Sequence, residues 1–91
     1  MHELGLAAGI FDLVREHVPA GRAAAVRRVR IRVGEFAGVL PESLVFCFGA
    51  LTQGTPYGQA SLDVERVAGR ELRVSDVELD DVEPDRPELL P

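Results

Sequence analysis

This chain of 91 residues has little of what most often announces a function. It holds one cysteine, Cys47, so no internal disulfide can form and no zinc ribbon or finger can be built. A reducing compartment, the cytoplasm, is the expectation. No apolar run approaches the roughly 18 residues that a membrane helix needs, so no membrane insertion is expected. The start lacks a basic region, and Asp12, Arg15 and Glu16 interrupt the apolar stretch that a signal peptide would require. There are five aromatic residues, no internal repeats and no nucleic-acid motif. No acid–base pair, phosphate loop or nucleophile with a base stands at a recognisable spacing, so the chain does not read as an enzyme.

What is present is one small domain's worth of apolar sequence. Hydrophobic residues make up 46%, enough for a core, although a domain this short is marginal without help. The net charge of −5 is uneven. Residues 1–75 carry 9 Arg against 8 acids, whereas residues 76–91 carry 1 Arg against 7. Five arginines fall between Arg22 and Arg32, but they alternate with valines as the wet face of a strand does, so a nucleic-acid partner is not expected.

Periodicity places the elements. Leu6, Ile10, Leu13, Val14 and Val18 recur at spacings of three and four, predicting a helix over Leu4–Val18 that "PAGR" ends. His17 near that end reads as a surface residue. Val29, Ile31 and Val33 alternate with Arg28, Arg30 and Arg32, predicting a strand over Val26–Val33. Pro41 opens a second helix to about Leu51, with Leu44, Val45, Phe48 and Leu51 as its buried stripe and Cys47 as a small buried hydrophobe. Ala60–Val67 and Arg70–Leu79 alternate again. In the second of these the apolar phase slips between Val74 and Val77, as a β-bulge near Ser75 would make it. The short link containing Gly69 predicts an antiparallel hairpin between these two strands, with glycine at a positive φ. The fold class is α/β (α+β): a small single domain over 1–79, two helices packed on a three-stranded mixed sheet in the order helix–strand–helix–strand–strand. Residues 80–91, with three prolines and five acids, read as a disordered tail.

The opening "MHEL" carries the chemistry. The free α-amine of Met1, the His2 amide nitrogen once deprotonated and the His2 imidazole lie along one short covalent path and can close two fused chelate rings around one ion. A fourth planar position remains for a carbonyl, the Glu3 nitrogen, a carboxylate or a partner's ligand, and Glu3 can instead shield the charge. Planar nitrogen donors suit Ni(II) or Cu(II). The scheme needs a free amine on a retained Met1. The same residues also fit a frayed helix start with a solvated His2.

A resemblance separates these readings. "MHELGLA", "VRIRVGEFAGVLPESLVFCFGALTQGTP" and "GRELRVSDVEL" occur in this order, and together they resemble the HypA/HybF family of hydrogenase nickel-incorporation proteins from Met1 to about Leu79. The resemblance implies a nickel metallochaperone rather than an enzyme. It implies Ni(II) held at Met1, His2 and Glu3, an [NiFe]-hydrogenase large-subunit precursor as recipient, and a HypB-type nickel GTPase as donor. The family's zinc domain, with paired Cys-x-x-Cys motifs before the "GREL" strand, has no counterpart here, since "LDVERVA" runs straight into "GRELRV"; no zinc is expected. Gly5 stands where many members carry serine. The alternative is an interaction module or accessory subunit of a hydrogenase-related complex that keeps the fold but delivers no metal. The sequence leaves the oligomeric state open, and no residue pattern marks either sheet edge as a pairing edge.

Overall fold

The computed structural model describes residues 2–80. The order is α1 (His2–His17), a 3-10 helix (Ala20–Ala25), β1 (Val26–Gly34), α2 (Pro41–Thr52), β2 (Ser61–Val67) and β3 (Leu72–Leu79). The expected elements are all present, with boundaries moved by one or two residues; the 3-10 helix is additional. Met1 and residues 81–91, which include nearly all of the expected disordered tail, lie outside the described residues. Asp80 is tied in: its N–H donates to the Ala25 carbonyl and its carboxylate accepts from Arg27 at 2.9 Å.

The sheet order is β2-β1-β3, with β1 parallel to β2 and antiparallel to β3. β1–α2–β2 is therefore a crossover unit, the connection that parallel neighbours require. The predicted hairpin does not form, because β1 lies between β2 and β3. Ion pairs run across both sides of β1 in this order. Arg28, Arg30 and Arg32 of β1 face Asp63 and Glu65 on one side and Glu71, Asp76 and Glu78 on the other, at 3.2–3.5 Å.

The link from β2 to β3 consequently arches over the end of β1. Gly34 N–H donates to Glu71 O at 2.6 Å, Glu35 N–H to Val67 O at 2.9 Å and Phe36 N–H to Gly69 O at 2.8 Å. Gly69 takes φ +88°, as expected for glycine at the turn. The phase slip is also present. Arg30 pairs with Asp76 and Ile31 with Val74, leaving Ser75 as the extra residue, and a second shift leaves Arg27 extra on β1.

Both helices bury residues with the apolar face of the sheet in a single core. Val26, Val29, Ile31 and Leu44 are fully buried, and Phe11 meets Phe48 and Tyr57 edge-to-face at 6.1 and 5.3 Å. Leu13 and Val45, predicted in the buried stripes, are exposed instead. Phe11 takes the central place on α1, which rotates Leu13 towards the rim above β3. Thr52 is the one buried polar residue of the described core, its hydroxyl donating to the Phe48 carbonyl at 3.0 Å. Thr52→Val keeps the shape and removes that bond, so chemical denaturation should show a loss of about 1 kcal/mol; a loss several times larger would mean the hydroxyl has a second role.

Candidate metal centre

α1 begins at His2, so His2 and Glu3 occupy the first helical turn rather than a loose lead-in. This placement matters for the amide chemistry. First-turn N–H groups have no carbonyl four residues earlier to bond to. The His2 amide proton can therefore be given up without breaking the helical ladder.

Glu3 is held through one oxygen and lies near His2 through the other. Its Oε2 accepts the backbone N–H of Leu40 at 3.1 Å, and its Oε1 lies 3.6 Å from His2 Nδ1. Leu40 is the N-cap of α2, which has no side-chain cap of its own. Glu3 thus reaches across from α1 and sets a carboxylate at the uncapped, positive end of α2. The Leu40 N–H is the main influence holding the Glu3 carboxyl below the ordinary carboxylate value; partial burial opposes it and His2 assists. The imidazole remains open to solvent at 57%, whereas the Glu3 side chain is only 17% exposed. The result is an accessible nitrogen donor beside a fixed, charged carboxylate.

His2 Nδ1 is also the ring nitrogen that a chelate through the His2 amide would use, because it closes the smaller ring with that amide. The structure therefore brings together two of the three sequence-predicted residues, His2 and Glu3; Met1 lies outside the described residues. Leu40 was not foreseen, and no sequence signal marks it, since its contribution is a backbone N–H. Around Glu3, the residues Glu42, Ser43, Phe46 and Cys47 line an open cleft of about 310 Å³. Cys47 is half-buried there and packs against the core. Phe36, Leu40 and Phe46 are strongly exposed.

No group of three or more His, Cys, Asp or Glu side chains is placed to hold a metal among the described residues. A metal at this end would need backbone or terminal donors besides His2 and Glu3. His17, at the far end of α1, is exposed and its Nδ1–H donates to the Leu13 carbonyl at 2.9 Å. The arginine row is engaged by carboxylates of both neighbouring strands; Asp76 in particular raises the pKa of Arg30. No helix of the described residues is long and apolar enough to cross a membrane.

Known proteins match most of the chain. Residues 1–73 match the family described as hydrogenase/urease nickel incorporation, metallochaperone, HypA. The hydrogenase maturation factor HypA of Streptomyces avermitilis is 46% identical over 71 residues, covering 77% of this chain and 54% of that protein. The factor of the same name from Desulfosudis oleivorans is 43% identical over 68 residues, 74% of this chain and 59% of that protein. The chain thus spans somewhat more than half the length of these relatives. Among solved structures, that of the Ni metallochaperone HypA from Helicobacter pylori superposes with a TM-score of 0.63 at 19% identity, covering 84% of this chain and 72% of that one. The likeness at that identity is one of fold.

Proposed function

The chain belongs to the HypA family, and from that premise we propose that it binds Ni(II) through Met1, His2 and Glu3 and delivers it during [NiFe]-hydrogenase maturation. The observation that carries the proposal is the first turn of α1: a solvent-open His2 Nδ1 beside a Glu3 carboxylate that Leu40 holds in place. Charge balance supports it. The positive end of a helix repels a bare dication. One deprotonated amide and the Glu3 carboxylate together offset the two positive charges of the ion. The Met1 amine and the neutral imidazole complete the nitrogen set, which suits Ni(II).

Transfer requires that the ion be reachable. A site on the first helical turn, open on the His2 side, lets an incoming ligand displace one donor at a time. The recipient we propose is a hydrogenase large-subunit precursor, with a HypB-type nickel GTPase as donor. The closed Ala68–Glu71 arch supports a nickel domain that folds without a zinc domain, and we propose no zinc site within it.

The test is a Ni(II) titration of the untagged chain beside a form with two extra residues ahead of Met1. The extension converts the amine into an amide and leaves every described contact intact. The untagged chain should take up about one equivalent, and binding should weaken as pH falls, because protons compete with the ion for its nitrogen donors. The extended form should lose that uptake. Equal uptake by both would place the ion elsewhere on the chain, and uptake by neither would favour the interaction-module reading.

A further inference from the structure

β3 is an edge strand whose inner edge pairs with β1; among the described residues no strand lies along its outer edge. The inner bonds determine which backbone groups face out. Gly34 N–H donates to Glu71 O, and Asp80 N–H donates to Ala25 O, so Glu71 and Asp80 face β1. Alternation, corrected for the extra residue at Ser75, then turns the N–H and C=O groups of Leu72, Val74, Val77 and Leu79 outward. The side chains of these four are partly buried and pack against the core, while Arg73, Ser75, Asp76 and Glu78 are exposed on the other face.

That pattern is symmetric about the bulge. When the strand is laid antiparallel to a copy of itself with a two-fold axis between Ser75 and Asp76, Leu72 stands opposite Leu79 of the second copy, and Val74 opposite its Val77. Every outward-facing residue then meets an outward-facing one. On the polar face Arg73 stands opposite Glu78 of the second copy, twice, as opposite charges. A regular strand of the same length could not do this, because the register would set outward groups against inward ones; the extra residue at Ser75 removes the mismatch.

A second observation concerns the same edge. α1 leaves β3 uncovered, with open clefts of about 380 and 250 Å³ between them. Their apolar walls include Leu6, Ile10, Leu13, Leu72, Val74 and Val77. Gly5 and Gly9 line the smaller cleft, with no atom within 4 Å of where a Cβ would stand. The strand has no proline, no lysine and no charge on its core-facing side, three of the usual means of blunting an edge; its bulge, another such device, here brings the outward groups into self-complementary register.

We propose that the chain forms a two-fold dimer through β3–β3 pairing, joining two three-stranded sheets into one and closing the apolar clefts of both copies. The occupant of the edge is a second copy of this chain, and the proposal does not depend on the nickel reading.

The test is sedimentation equilibrium of the untagged full chain from about 1 µM to about 1 mM, which spans weak to firm association. The expected mass is twice 9.9 kDa. Arg73→Glu sets glutamate against glutamate at both symmetric places and should raise the dissociation constant about tenfold or more, with an unchanged circular dichroism spectrum. The double variant Arg73→Glu/Glu78→Arg should restore dimerisation. If the double variant loses its fold because Glu78 also faces Arg28 and Arg30, Val77→Pro takes its place: it removes one outward N–H and no bond to β1, and should also weaken the dimer. A monomer at all concentrations overturns the proposal. So does a dimer indifferent to Arg73→Glu, or a folded double variant that fails to recover.

Discussion

In His2→Ala, nickel uptake by the untagged chain should fall from about one equivalent to a level at least about a hundredfold weaker, because the variant loses the imidazole and with it one of the two chelate rings. The fold should not change. His2 is exposed and makes no hydrogen bond to the body of the protein among its described contacts, so stability should stay within about 0.5 kcal/mol of the parent. Titration calorimetry with absorbance of the planar nickel complex, run beside a thermal melt, separates the two effects. A variant that keeps its equivalent of nickel would show that the ion sits elsewhere. A variant that loses both nickel and its melting transition would mean His2 has a structural role that its exposure does not reveal.

The largest expected loss of stability comes from one methyl group. In Gly34→Ala the new Cβ would lie 2.7 Å from the Glu71 nitrogen and closer still to the Gly69 carbonyl. These are backbone atoms of the arch, and Gly34, Glu35 and Phe36 are bonded to that same arch, so relief requires moving the link and breaking those bonds together. Overpacking of this kind costs about 3 kcal/mol or more, a drop of roughly 12–24 °C in melting temperature for a domain of this size. Glycine is needed at Gly34 for space, whereas at Gly69 it is needed for its positive φ. A melt of Gly34→Ala within a few degrees of the parent would mean the arch lifts off β1 easily.

Much of this was legible in the sequence. The spacing of Ile10 and Val14, the alternation of Val29, Ile31 and Val33 with arginines, and the slip between Val74 and Val77 each reflect a periodicity that the backbone enforces, and each element formed as read. The pairing of β2 with β3 was misread because a short link with a glycine has the length of a hairpin. The sequence did contain a counter-signal. Acids line both β2 and β3, and the arginine strand between them pairs with acids on each side, although Arg32 itself stands opposite Arg73. Strand–helix–strand order over Val26–Val67 also implies that β1 and β2 are parallel. Leu13 and Val45 were misplaced because a helix of mixed polarity fits more than one buried stripe, and Phe11, once it stacks on Phe48 and Tyr57, determines which is used. At the terminus the sequence named His2 and Glu3 but could not show what holds Glu3, because the Leu40 N–H belongs to every residue's backbone. The symmetry of the β3 edge became visible only when the strand order showed which of its edges is free.

The arch over Gly34 also fixes an order of events. β1 is the centre of the sheet, yet it is made first, and both of its neighbours come from the second half of the chain. A nascent chain that has emerged only through α2 therefore holds a valine-rich strand with two open edges and no partner for either. Closing the long segments between β1 and its neighbours carries an entropic cost that local contacts do not. The sheet cannot be complete until β2 and β3 have both been made and lie on either side of β1. The helix that carries His2 and Glu3 is made before any strand of the sheet beneath it.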